Sequence, residues 1–279
     1  MLLAGQNNYW GKTIEESTKS WLDFGIEHIM VKNNNNILLV SPEGKVITED
    51  FKKLGRLQKE YGVEYHIHPY NSFANIEGNK YSLDFISDKS KAIYAKILKD
   101  FDALVQENEL YPLITLHLPM LDYPNSIEKQ EEAEAIKNGR EFFQSLELKT
   151  TIGLETQHDP YRNPGYSLLG NKAWHFSEII GDRKDFSLVI DTGHLNMAEE
   201  PLKKFLELPY PVASIHFNGN KGEKDSHEMP NRSNMKDVEL IERLLKKVDG
   251  PIVLEIQKRD YSKDEILRLI ESTKAGKVI

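Results

Sequence analysis

Six side chains of metal-binding type each close a short apolar run, one after another along the chain. His68 ends Glu64-Tyr65-His66-Ile67-His68, His117 ends Leu113-Ile114-Thr115-Leu116-His117, and Glu155 ends Thr151-Ile152-Gly153-Leu154-Glu155. Asp191 ends Leu188-Val189-Ile190-Asp191, His216 lies in Ala213-Ser214-Ile215-His216, and Glu255 ends Ile252-Val253-Leu254-Glu255. Imidazole and carboxylate are the nitrogen and oxygen donors that zinc and related divalent ions accept. One such residue alone reads as an ordinary hydrogen-bonded side chain. Six in equivalent places have no structural purpose, because buried carboxylates cost stability unless they are paired or metal-bound.

Three further residues extend the set. His194 follows in Asp191-Thr192-Gly193-His194, and Asp225 and His227 alternate in Asp225-Ser226-His227, a spacing that lets two side chains chelate from one side of an extended loop. The nine comprise five histidines, two glutamates and two aspartates, which is too many for one ion and suits two or three. Two ions about 3.5 to 4 Å apart generate hydroxide and stabilise both oxygens of an in-line displacement at phosphorus. Sugar isomerisation needs less: one or two ions that polarise a carbonyl and a hydroxyl, and a base.

The elements that must carry these residues follow from the hydrophobic pattern. Strands are expected near 2–5, 26–31, 64–68, 113–117, 151–155, 187–191, 212–217 and 252–256. Helical patterns fall between and after them, at 13–23, 48–61, 84–108, 127–146, 166–180, 199–206, 235–247 and 262–273. Strict alternation predicts an α/β fold, a single (β/α)8 TIM barrel spanning residues 1–279, with the metal site at the C-terminal ends of its strands. Ile37-Leu38-Leu39-Val40 and Lys45-Val46-Ile47-Thr48 flank Ser41-Pro42-Glu43-Gly44, so 33–48 reads as an inserted β-hairpin on the ligand face. The segment 157–165, with two prolines, reads as another loop on that face.

Composition sets bounds. The 279 residues, 39% apolar and 29% charged, are ordinary for one soluble barrel. With no cysteine, disulfides are excluded and any metal is held by nitrogen and oxygen. No stretch approaches the roughly 18 apolar residues of a membrane span, and Met1-Leu2-Leu3-Ala4-Gly5 is too short for a signal peptide. A cytoplasmic location without membrane association is the default expectation, and no protein partner is evident. The net charge of −8 argues against a protein that coats nucleic acid. It does not exclude a nucleic-acid enzyme, because bound cations reverse the sign at the site.

Taken together, Leu116-His117-Leu118-Pro119, Gly153-Leu154-Glu155-Thr156, Ile190-Asp191-Thr192-Gly193-His194, His216-Phe217-Asn218 with Lys221, Asp225-Ser226-His227 and Leu254-Glu255 resemble the endonuclease IV family of apurinic/apyrimidinic endonucleases, within the xylose isomerase-like barrel superfamily. The resemblance implies a trinuclear zinc site, with Mn2+ or Fe2+ as alternatives at some positions. His68, His117 and Glu155 would hold one ion. Glu155 would bridge to a second held by Asp191, His216 and Glu255, and His194, Asp225 and His227 would hold the third. Glu255 would orient or deprotonate the attacking water, with Glu155 its catalytic partner, and the reaction would cleave DNA on the 5′ side of abasic sites. The sequence departs from the family after the first histidine, where Tyr70 stands two residues after His68 rather than three, which leaves room for His66 as the first ligand.

Candidate substrate contacts are Tyr70, Arg162, Lys221 and Arg232, drawn from the basic residues Lys32, Arg162, Lys172, Lys221, Lys224, Arg232 and Lys258 and the aromatics Tyr70, Phe73, Tyr161 and Tyr166. His66 shares a strand face with His68 and reads as its support. His28, His158 and His175 read as core, loop and structural histidines. Two activities compete. The first is a zinc-dependent phosphodiesterase acting on damaged DNA. The second is a sugar isomerase or epimerase that uses only Glu155, Asp191, His216 and Glu255. The trio His194, Asp225 and His227, for which an isomerase has no evident need, favours the first.

Overall fold

The computed structural model describes the chain apart from residues 8–12, 35–36, 70–72, 77–78, 83–84, 86, 120, 122–130, 159–167 and 258–260, and apart from the side chains of 73–76 and 79–82. Eight parallel strands close into a barrel: β1 (Leu2–Gln6), β2 (His28–Lys32), β3 (Glu64–His68), β6 (Leu113–His117), β7 (Thr151–Glu155), β8 (Phe186–Asp191), β9 (Val212–Phe217) and β10 (Pro251–Leu254). Around the ring their order is β1, β10, β9, β8, β7, β6, β3, β2. Outside stand α1 (Ile14–Leu22), α2 (Thr48–Tyr61), α3 (Asp88–Glu107), α4 (Glu132–Gln144), α5 (Ala173–Ile180), α7 (Leu202–Leu206), α8 (Val238–Leu245) and α9 (Lys263–Lys274). The expected TIM barrel is the observed fold.

Local chemistry explains where the helices begin and how they dock. Thr13 and Glu16 form a reciprocal capping box at the start of α1, and Ser262 and Glu265 do the same for α9. Trp21 of α1 is fully buried and donates its indole N–H to Gln6 O at 3.0 Å. Gly5 permits that approach, since a Cβ there would lie 2.2 Å from the indole ring. The apolar faces of helices and strands merge into one large cluster between the two layers.

Alternation along each strand sends every second side chain inward. The uppermost inward place on each strand holds, in chain order, Gln6, Lys32, His68, His117, Glu155, Asp191, His216 and, one residue past β10, Glu255. All eight are polar. Beneath them Ala4, Met30 and Val253 form a small apolar cluster of their own inside the barrel. It plugs the floor under a polar rim.

Three local features interrupt the plain alternation of strand and helix. The segment 33–47 folds back on itself through antiparallel bridges, Asn34 with Ile37 and Val40 with Val46, with Ser41 N donating to Lys45 O at 2.8 Å and Ile47 N to Leu39 O at 2.9 Å, and α2 begins directly after it at Thr48. Side chains satisfy further backbone groups: Asn33 Oδ1 accepts from Leu39 N at 2.6 Å and Val40 N at 3.2 Å, while Asp50 Oδ2 accepts from Leu38 N. Another antiparallel hairpin lies further on, β4 (Phe73–Ile76) with β5 (Asn79–Ser82). A short helix, α6 (Thr192–Met197), follows β8 directly. Among the described residues no helix is long and apolar enough to cross a membrane.

His28 is a core histidine, as read. Its Nε2 lies 2.7 Å from His66 Nδ1, and its ring meets Tyr111 edge-on at 4.7 Å between centroids. Burial pushes its pKa from 6.5 down to about 3. Between those values the unfolded chain binds the proton that the folded chain refuses, so the stability His28 contributes is intact above about pH 6.5 and is lost as pH falls through that window. In urea titrations at a series of pH values, His28→Gln should remove about one proton from the dependence, ~1.4 kcal/mol per pH unit. An unchanged slope would contradict the assignment.

Candidate metal centre

Glu155 is the hub of the rim. Its Oε2 lies 3.1 Å from His68 Nε2, 3.0 Å from His117 Nε2 and 3.3 Å from His216 Nδ1, and its Oε1 lies 3.3 Å from His194 Nδ1. The same His216 Nδ1 lies 2.9 Å from Glu255 Oε2 and 3.9 Å from Asp191 Oδ2. Three overlapping donor sets result: His68 with His117 and Glu155, Glu155 with Asp191 and His194, and Asp191 with His216 and Glu255. In each, the donor atoms lie within 4.8 Å of one another.

Secondary structure aims these groups. Asp191 ends β8 and also caps α6, accepting from His194 N at 2.8 Å, so a single turn of helix brings His194 back over the strand end. Asn218 Nδ2 donates to both Asp191 oxygens at 3.1 Å and fixes the carboxylate plane. Gly193 leaves room for it, because a Cβ there would fall 1.8 Å from Asn218 Oδ1. Backbone carbonyls only accept, so they set the histidine tautomers. His68 Nδ1 donates to Thr115 O at 3.2 Å, which leaves its Nε2 as the lone pair turned to the centre, while His194 Nδ1 donates to Thr156 O at 2.8 Å and His227 donates from Nδ1 to Glu255 O at 3.0 Å and from Nε2 to Asp225 Oδ2 at 2.9 Å.

Burial and charge act against each other here. Burial, aided by the Lys32 ammonium, pushes His68 down to about 3. Burial also resists charge on His216, but the Glu155 and Glu255 carboxylates outweigh it and hold the imidazole up at about 10. Glu255 is held well below the usual carboxylate range by Lys32 and His216 in spite of its burial, whereas burial together with Glu255 and Glu155 raises Asp191. Both His216 ring nitrogens and Glu255 Oε2 are buried without a partner in hydrogen-bond geometry. Metal-binding groups crowded together and unsatisfied in this way fit a divalent cation.

The structure brings together seven of the nine sequence candidates in these sets. Asp225 and His227 pair with each other instead, Oδ2 to Nε2 at 2.9 Å, with His194 Nε2 3.5 Å away. Among the described residues, neither belongs to a set that closes on one point. His227 has a φ of 43°, a left-handed conformation that a histidine adopts at a cost. His68 faces the centre, while His66 sits a layer lower in register with Met30 and bonds His28.

The substrate candidates fare differently. Arg232 is tied to Glu242 at 2.6 Å beside the last residue, Ile279, and lies away from the cavity over the metal-ligand types; its partner ten residues on was not legible as such. Lys221 is exposed and does not line that cavity. Tyr70 and Arg162 lie outside the described residues. The cavity, about 350 Å³, is lined beyond the ligand types by Gln6, Lys32, Gln157, His158 and Gln257. Gln6 and Lys32 occupy on β1 and β2 the same place that the six ligands occupy elsewhere, so the strand-end rule locates them, but neither is a usual metal ligand.

The family described as xylose isomerase-like TIM barrel matches residues 23–275, and the chain belongs to it. Among solved structures the chain is similar to a D-tagatose 3-epimerase-like protein, at 18% identity and a TM-score of 0.71 over 99% of this chain and 97% of that one. It is similar to the 3-keto-D-glucoside 4-epimerase of E. coli, at 13% identity and 0.69 over 98% and 99%, and to the IOLI protein with a binding zinc atom, at 16% identity and 0.66 over 99% and 96%. No curated protein matches by sequence. The expectation of a metal-dependent phosphodiester hydrolase is corrected here: the similar structures are sugar epimerases, not hydrolases.

Asn218 gives a test of how the centre is held. Asn218→Ala should weaken divalent-ion binding by about 10- to 100-fold with little change in melting temperature, measured by calorimetric titration of chelator-stripped protein. Unchanged affinity would mean that Asp191 orients itself without it.

Proposed function

We propose that the chain is a divalent-metal-dependent sugar epimerase or isomerase, acting by removal and return of a proton on a carbon next to a carbonyl. The observation that carries this reading is the approach of Glu155 and Glu255 to one imidazole, at 3.3 and 2.9 Å from His216 Nδ1. Two carboxylates flanking one point can serve opposite faces of a planar intermediate, one taking the proton and the other returning it. Both are buried, with 1% exposure each, so neither is spent on bulk water. A metal ion held by Glu155, Asp191, His216 and Glu255 would polarise the carbonyl and the neighbouring hydroxyl.

One ion suffices for this chemistry, and His68 with His117 and Glu155 offers a second place. His194, Asp225 and His227 then serve as hydrogen-bond partners for sugar hydroxyls at the rim rather than as a third zinc site. The cavity of about 350 Å³, lined almost wholly by polar groups, suits a monosaccharide. The likeness to structures named as sugar epimerases, and to one carrying zinc, supports the reading.

Incubation of the metal-loaded protein with a panel of free ketoses in D2O tests it. A new epimer or isomer carrying one solvent deuteron at the altered carbon is expected, and Glu155→Gln or Glu255→Gln should each lower kcat by about 10²- to 10⁴-fold. If no sugar in the panel changes and none takes up deuterium, the reading is wrong.

A further inference from the structure

Lys32 has no part in the chemistry above, yet it stands in the rim itself. Its place at the end of β2 is in register with His68 on β3. Its backbone is clamped by Asn7, which accepts from Lys32 N and donates to Lys32 O, both at 2.9 Å. The origin of the side chain is thereby fixed, while a four-carbon stem has the rotatable bonds to re-aim the ammonium. That ammonium contacts Glu255 Oε1, with the lysine side chain 13% and the glutamate 2% exposed. Among the described residues lining the cavity, Lys32 is the one lysine or arginine.

Glu255 therefore serves two masters through its two oxygens. Oε2 faces His216, in the donor set shared with Asp191, and Oε1 carries Lys32. A divalent ion entering that set meets a carboxylate that already has a cation, in surroundings too dry to screen the two charges. Without a divalent ion, Glu155, Asp191 and Glu255 lie buried together and depend on Lys32 and the neighbouring imidazoles for compensating charge.

We propose that Lys32 is a resident counter-cation that holds Glu255 in place in the metal-free barrel and yields it when a divalent ion binds, turning its ammonium into the cavity. Lys32 is thus a positioning residue that sets the metal affinity of the centre. The inference rests on the reading of the centre as a metal site and is separable from the choice of sugar chemistry.

Calorimetric titration of chelator-stripped protein with Mn2+ tests it. Lys32→Met should bind Mn2+ about tenfold or more tightly than wild type, and its stripped form should melt at a lower temperature than stripped wild type. A merely structural lysine would lower both affinity and stability. A folded Lys32→Met chain that binds Mn2+ no more tightly than wild type overturns the proposal. Should that variant fail to fold without metal, crystal structures of wild type before and after Mn2+ soaking decide the point: Nζ is expected on Glu255 in the first and away from it in the second. Nζ remaining on Glu255 beside bound Mn2+ overturns the proposal. A wild-type chain that binds no divalent ion removes the metal-site reading and the Lys32 inference together, whereas normal wild-type binding with unchanged Lys32→Met affinity removes only the latter.

Discussion

Placing several carboxylates at one end of a closed barrel, beyond the reach of bulk water, is the constraint around which the rest is arranged. Glu155, Asp191 and Glu255 are buried, and each would be costly there without imidazole, ammonium or metal nearby. The histidines are consequently not independent ligands but the neutral or charged counterparts of specific oxygens. Their tautomers are set by carbonyls of neighbouring strands, so the orientation of the whole group is inherited from the barrel backbone. Below it, Ala4, Met30 and Val253 keep the interior dry, which preserves the strength of every electrostatic contact above.

The fold supplies the precision such a group demands. Parallel strands hydrogen-bonded to neighbours on both sides leave little freedom at their ends, and the register of Asp191 with His216, or of His117 with Glu155, places donors side by side without any loop having to find its conformation. Where a loop does contribute, extra devices appear: the cap of α6 for His194, and the positive φ of His227 locked by Gln257 N donating to His227 O at 2.8 Å.

Much of this was legible in the sequence, for identifiable reasons. Strands β3, β6, β7 and β9 were bounded to the residue because each is a short β-rich run with a metal-ligand type at or next to its end. The barrel followed from their alternation with helical patterns, and six of the rim's eight residues followed from residue type. Gln6 and Lys32 are not legible as members of the rim from residue type, because neither an amide nor an ammonium is a usual metal ligand. The helix α6 was missed because six residues carry no helical periodicity, and β4 with β5 because its strands are only four residues long. Residue types alone do not reveal that Asp225 and His227 turn toward each other, with His194 beside them.

The rim is not uniform around its circumference. Going round the ring from β3 through β6, β7, β8, β9 to β10, every place holds a metal-ligand type, and the two remaining adjacent strands, β1 and β2, present an amide and an ammonium. An arc of donors interrupted on one side has a direction, and seen from above it also has a handedness. A molecule with several stereocentres cannot lie across such a mouth equally well in both senses. The two strands that carry no metal-ligand type thus give the rim its compass, a fixed sense of direction around the mouth.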